Sequence, residues 1–266
     1  MDLLTYCKRL PKIELHAHLT GSLSDETVLK LLNSKLKCVH VNLPKSAEVT
    51  IRRGHRRTLE ECFQIFGILH YLIDNLETVK NITRDVIQEF ASDNVKYLEL
   101  RTTPKSVPNK MTKKDYIETV LEAILQEMKT NCITVRLLLS IDRSRGIDDA
   151  WNTLQLAKEY KTHIPNEAET LAVLRTGLVD RIGHGTFIHP SSGGSQELLY
   201  YVQHYHLPLE LCLSSNVKCG TVKNIEDHHL AHWRKENHPV IICTDDKGVF
   251  STSLSEEFHL CAEVGQ

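Results

Sequence analysis

The chain has 266 residues, 41% of them hydrophobic and 25% charged, with a formal net charge of −2. That length and apolar content suffice for a sizeable core, the charge balance excludes a basic nucleic-acid binder, and no apolar run approaches the roughly 18 residues of a membrane span. The eight cysteines form no CxxC, and some lie inside apolar runs such as "LELCL" and "VIICT". This is the pattern of reduced thiols, and with an N-terminus too short and too charged for a signal peptide it leads us to expect a cytosolic protein. The basic "IRRGHRR" at Ile51 to Arg57 reads as a solvated face.

In chain order, "KIELHAHL" (12–19) is a predicted strand, followed by helical patterns over 24–36 and, in two pieces, 58–93. A strand over "VKYLELRTT" (95–103) precedes a helix at 112–130, and "TVRLLLSID" (134–142) precedes helices at 146–160 and 166–176. Three more strands come next, "DRIGHGTF" (180–187), "LPLELCLSS" (207–215) and "HPVIICTDD" (238–246), separated by helices at 193–205 and 225–236. Strands alternating with helices argue for parallel βα units buried on both faces. No repeat or linker divides the chain, so residues 1–266 are expected to form one α/β domain.

Each predicted strand ends in chemically capable residues: His16 and His18, Arg101, Asp142, His184, Ser214 to Asn216, Asp245 and Asp246. In parallel α/β folds the chemistry gathers at the carboxyl ends of the strands. Six such ends converge better around a barrel axis than along an open sheet.

His16 and His18 stand two apart on a strand, so both imidazoles leave one face, about 7 Å apart along the backbone. Two imidazoles so placed can close on one ion, although an HxH also recurs at His204 and His206. Asp245 and Asp246 end an apolar strand, where adjacent carboxylates are costly unless a cation or ligand offsets them. One reading makes Asp245 a metal ligand and Asp246 a substrate or water contact; the other makes Asp246 a helix cap. His184 lies between two glycines, which lets backbone approach a ligand closely. "HHLAHW", with His228, His229 and His232, reads as a polar surface helix.

"LPKIELHAHLTGS", "YLELRTTP", "DRIGHGT", "LELCLSSN" and "CTDDKGVF" occur in this order from about Leu10 onward and together resemble the adenosine deaminase family. Within it the sequence is most similar to the branch acting on N6-methyl-AMP, to which Lys247 also points. The resemblance implies a (β/α)8 TIM-type barrel with one catalytic Zn2+, held by His16, His18 and Asp245. It implies that His184 orients or deprotonates the attacking water and that Asp246 contacts the purine. Substrate contacts would further include His18, Thr20, His70, Arg101, Thr102, Thr103, Pro104 and Asp142, with Thr20 in place of an asparagine common in that branch. The expected partner is a small purine nucleotide, with no nucleic acid or membrane, and the expected state is a monomer.

The chain departs from the family at one place. A His-x-x-Glu motif should supply a third histidine ligand and the acid that protonates N1, yet no histidine here is followed three residues later by glutamate. The interval from Arg143 to Val179 is helical in pattern, and "HIPNEAET" resembles the family's segment just downstream of the motif, which leaves His163 a poor substitute. The barrel is therefore expected to lack two βα units, and also the family's final helices. Two reactions remain open: deamination of N6-methyl-AMP to IMP, impaired or abolished by the missing motif, and deamination of free adenosine. The third reading is a non-catalytic shortened form that binds nucleotide or a partner.

Overall fold

The computed structural model describes residues 1–38, 47–160 and 179–264; the predicted helix at 166–176 and His163 lie outside them. The six predicted strands are present: β1 (Lys12–His18), β2 (Val95–Thr102), β3 (Thr134–Leu139), β4 (Ile182–Gly183), β5 (Leu209–Leu211) and β6 (Val240–Ile242). They pair in parallel as two sheets, β1-β2-β3 and β4-β5-β6. A parallel bridge between Ala17 and Asp245 joins the sheets at the β6–β1 edge. There the His18 amide donates to the Asp245 carbonyl at 3.0 Å, and the Asp245 amide donates to the His16 carbonyl at 2.7 Å. The result is one parallel arc in the order β4-β5-β6-β1-β2-β3, with every carboxyl end on the same rim. Among the described residues, β3 and β4 each have a strand partner on one side only.

Twelve α-helices are described: α1 (Leu3–Arg9), α2 (Asp25–Cys38), α3 (Ala47–Arg52), α4 (Leu59–Leu72), α5 (Leu76–Ser92), α6 (Lys113–Thr130), α7 (Ile147–Tyr160), α8 (Gln196–His204), α9 (Leu213–Lys218), α10 (Leu230–Lys235), α11 (Lys247–Phe250) and α12 (Leu254–Glu263). Capping boxes set two starts, Thr58 with Glu61 on α4 and Thr112 with Asp115 on α6, each satisfying two otherwise orphaned backbone donors. α5 and α6 pack their apolar faces on β1 to β3 in one large core that includes Val79, Ile82, Val86, Ile117 and Val120. A second core around Trp233, Leu209 and Leu211 supports β4 to β6. Leu15, Cys212 and Cys243 form a third, small cluster with Tyr97 and Ile241.

The last three strands are shorter than predicted. After β5 the chain turns directly into α9, and after β4 and β6, His184 and Asp245 adopt left-handed backbone, with φ near +60°. Such conformations cost of order 1–3 kcal/mol and gather at functional sites. "IRRGHRR" is also only partly a solvated face. Arg57 is buried and donates to the carbonyls of Ile51, Gly248 and Val249 and to Asp25, tying α3 and α2 to α11, the short helix after β6. Seven cysteines are described as free thiols, and no helix among the described residues is long and apolar enough to cross a membrane.

Candidate active site

β1 and β6 deliver the site's central group. Alternation along β1 sends His16 and His18 into the arc with Ala17 between them on the opposite face. Asp245 enters from the end of β6, and His184 from the loop after β4. Asp245 Oδ1 lies 3.5 Å from His16 Nε2 and 3.3 Å from His18 Nε2, and its Oδ2 lies 3.7 Å from His184 Nε2. Zinc–nitrogen and zinc–oxygen bonds of about 2.0–2.1 Å place the corners of a tetrahedron about 3.4 Å apart. His16, His18 and Asp245 therefore fit a tetrahedral divalent ion with a corner left open, and their ligand atoms all lie within 4.8 Å of one another. The thiol of Cys212 and one ring nitrogen each of His16 and His184 also lie within 4.8 Å of one another.

The electrostatics follow from burial and pairing. Burial alone would lower the His16 pKa, but hydrogen bonds to Asp245 and Glu210 overturn this and raise it to about 9. Burial brings His18 down to about 4. Asp245 sits well below the usual carboxylate range despite its burial, because His16, His18 and His184 surround it. Asp246 goes the other way, since burial and the charge of Asp245 both favour its protonated form. Burial and pairing thus push the two adjacent carboxyls in opposite directions.

Asp246 does not cap α11 with its side chain. Its carboxyl instead packs on the backbone of Gly21, where a Cβ would lie 1.6 Å from Asp246 Oδ1. Gly183 does the same for His16: a Cβ there would come within 3.0 Å of His16 Cε1. Gly21 leaves no room for a side chain, because the Asp246 carboxyl occupies that space, whereas at Gly183 a side chain would crowd the His16 ring.

The expected substrate residues divide between wall and rim. Along β2, Arg101 turns inward, donating to Glu210 at 2.5 Å and to the Leu15 carbonyl at 3.0 Å. Thr102 turns outward, its hydroxyl 2.7 Å from Tyr116 of α6. Thr20, Thr103 and Pro104 stand at the rim. Asp142 is held there by Ser144 and Arg145, at 3.0 and 2.7 Å to the Ser144 amide and hydroxyl and 3.2 Å to Arg145 Nε. His70 is exposed on α4, and its carbonyl receives Lys105 Nζ at 2.5 Å. Lys105 and Arg145 are among the charges that, after burial, lower the His70 pKa.

Several working residues carry no motif in the sequence. Glu210, inside β5, stands 2.8 Å from His16 Nδ1 and pairs with Arg101 and Arg181. Arg181 also reaches Glu99 of β2. Glu14 accepts from the Thr244 amide and hydroxyl at 2.9 and 2.7 Å, and Ser215 donates to Asp245 Oδ2 at 2.7 Å. The signal that could have found the two glutamates is a charged residue breaking an otherwise apolar strand, as in "LEL" and "IEL". "HHLAHW" is not a surface helix: His228 is 1% exposed, and His229 Nε2 donates to the His184 carbonyl at 2.8 Å.

The adenosine deaminase family profile matches residues 11–165 and 167–265. The chain belongs to the adenosine deaminase family. It is 40% identical to a Danio rerio protein named N6-methyl-AMP deaminase, over 97% of this chain and 86% of the relative. The apo structure of an N6-methyl-AMP deaminase from Arabidopsis thaliana superposes with a TM-score of 0.81 at 34% identity, covering 98% of this chain and 88% of that one. A structure described as an ADAL–IMP complex gives 0.82 at 34% identity with the same coverage. These are hydrolytic deaminases, and the mixed α/β barrel architecture is theirs.

Proposed function

We propose that this chain binds one Zn2+ through His16, His18 and Asp245 and acts on a purine nucleotide, N6-methyl-AMP, giving IMP and methylamine. The observation that carries this is the convergence of the three ligand atoms at tetrahedral spacing beside His184 and Asp246. Bound there, zinc supplies Lewis acidity that draws the pKa of a water in the site towards about 7. The rest falls to the chain. His184 faces Asp245 across the site and orients the water, and the Asp246 carboxyl, whose protonated form burial and Asp245 favour, hydrogen-bonds a purine ring nitrogen. Water adds its oxygen to C6, the C6–N6 bond breaks, and methylamine leaves with the transferred protons.

Lys105 and Arg145 put positive charge on the rim beside His70, Thr20, Thr103, Pro104 and Asp142. That favours a phosphorylated substrate over free adenosine. Arg101 and Thr102 support this rim from within the wall.

The barrel in this proposal is a shortened one. The alignment to the Danio rerio protein spans 303 positions against 266 residues here, so at least 37 of them have no counterpart in this chain. The family match is interrupted at residue 166, within the "HIPNEAET" stretch. We read this as the loss of two βα units carrying the His-x-x-Glu motif. General acid–base groups contribute about 10²–10⁴ to rate, so turnover is expected to be lower by that order than in a relative with the acid. We expect the chain to work as a monomer.

Zinc per chain from elemental analysis, with turnover of N6-methyl-AMP beside N6-methyladenosine and a His18→Ala control, tests this. The expected result is about one zinc, slow turnover of the nucleotide only, and loss of both in the control. Absence of zinc and of turnover together would refute the enzyme reading.

A further inference from the structure

His16 and His184 face the same carboxylate, yet the groups behind the two rings are opposite in kind. A neutral imidazole carries one N–H, and the partner of one nitrogen decides what the other offers. Behind His16 stands the Glu210 carboxylate, which can only accept, so His16 Nδ1 keeps its proton, and Nε2 is the nitrogen that would give up its proton to offer a lone pair to a metal. This is the arrangement of a metal-ligating histidine.

Behind His184 the polarity runs the other way and can be traced from a backbone amide. The Leu230 N–H, necessarily a donor, lies 3.0 Å from His228 Nδ1. His228 Nδ1 is therefore an acceptor, and Nε2 carries the proton. Burial supports this by holding the His228 pKa down to about 3, so the ring is neutral. His228 Nε2 lies 3.1 Å from Asn216, and the Asn216 atom facing it must be the oxygen. The Asn216 amide nitrogen then faces His184 Nδ1 at 3.3 Å, sharing its two hydrogens with Thr186 and Thr221 at 3.3 and 3.2 Å. His184 Nδ1 accepts, and its proton sits on Nε2, directed at the site.

We infer that His228, acting through Asn216, is a positioning residue that fixes the His184 tautomer with its proton on Nε2. This rests on the reading of His184 as the group that handles the attacking water. Two further bonds hold the left-handed backbone of His184 in place, from His229 to its carbonyl and from its amide to the Glu210 carbonyl. The consequence is a division of labour between two similar rings. A metal at His184 Nε2 would leave that imidazole with no proton while Nδ1 accepts from an amide, so His184 stays outside the ligand set. In its neutral form it donates to the water oxygen rather than taking a proton from it.

Long-range 1H–15N imidazole spectra of the 15N-labelled chain, with and without zinc, read each tautomer, and His184→Ala assigns the His184 peaks. The wild-type chain is expected to show His184 protonated at Nε2. In Asn216→Asp the group behind His184 becomes an acceptor, and the proton is expected to move to Nδ1 with a fall in kcat of about 10²-fold and little change in KM. His228→Leu should give a mixture of tautomers, whereas His228→Gln, whose amide can both accept from Leu230 and donate to Asn216, should restore the wild-type form. A wild-type His184 protonated at Nδ1, or an unchanged tautomer in Asn216→Asp, overturns the inference. A tautomer that moves without any effect on turnover overturns the role given to His184 and leaves the relay standing.

Discussion

Glu210 Oε2 lies 2.8 Å from His16 Nδ1, behind the ring and away from the rim. Its own burial would raise the pKa of this carboxyl, but His16, Arg101 and Arg181 together hold it down to about 2. Glu210 is thus an anion at any pH at which the protein works, and it anchors His16 to the inside of the arc.

Glu210→Gln tests that anchor. Loss of a partner behind a metal-ligating histidine typically lowers metal affinity 10–100-fold. The same change leaves Arg101 and Arg181 without their shared carboxylate, and breaking a buried pair costs about 3–5 kcal/mol. Competition against a chromophoric chelator should show the weaker zinc binding, and a denaturant series the lower midpoint. Unaltered zinc affinity would mean that His16 does not bind through Nε2.

Gly21→Ala separates the metal from the substrate. The new Cβ would fall 1.6 Å from Asp246 Oδ1, so the carboxyl must move, while Asp245 and the two histidines keep their own supports. Calorimetry should find zinc binding close to wild type and nucleotide binding weakened at least tenfold. Equal nucleotide affinity would show that Asp246 makes no purine contact.

Glu257 sets a pH dependence. This carboxyl of α12 is fully buried, accepting from the Ser214 amide at 3.2 Å and from the Thr252 hydroxyl at 2.8 Å, and burial raises its pKa to about 7. The folded state therefore holds a proton that the unfolded chain has released above its ordinary value of 4.5. Stability contributed by this group is complete below about pH 4.5 and declines as pH rises to about 7, by about 3 kcal/mol in total. Glu257→Gln should flatten the stability profile across that window; an identical slope in both chains would remove Glu257 as its source.

Chelation should destabilise the chain as a whole. A ligand that binds only the folded state stabilises it by about 4 kcal/mol at 1,000 times its Kd. Adding a strong chelator to zinc-loaded protein should therefore lower the Tm by several degrees, and His18→Ala should abolish the difference. A chelator-insensitive Tm in the wild-type chain would argue against a resident metal.

The strands were legible because β1, β2 and β3 carry apolar runs buried on both faces, and His16, His18, His184 and Asp245 because each ends such a run. Glu210 was not, since a lone glutamate in "LPLELCL" looks like one outward position of a strand. Only the neighbouring strands show that it faces His16 and two arginines. His228 was misread for a related reason: three histidines at helical spacing resemble a wet surface, and it takes the contact with Asn216 to reveal a buried ring. Arg57 looked solvated within a basic cluster, yet the carbonyls of Gly248 and Val249 that hold it come from residues almost two hundred positions away. What a local pattern cannot convey is which side of the wall a charged residue faces, and that is where the missed chemistry lay.

The β6–β1 edge has a further consequence. The backbone bridge between Ala17 and Asp245 joins the first strand to the last, and the metal candidates His16, His18 and Asp245 flank that same bridge. An ion seated there would rivet β1 to β6 at the point where the two sheets meet. Such a site cannot exist on a nascent N-terminal fragment; it comes into being only when the final strand docks. Metal capture would then report that β6 has docked on β1, and a chain caught with these strands apart would stay unloaded.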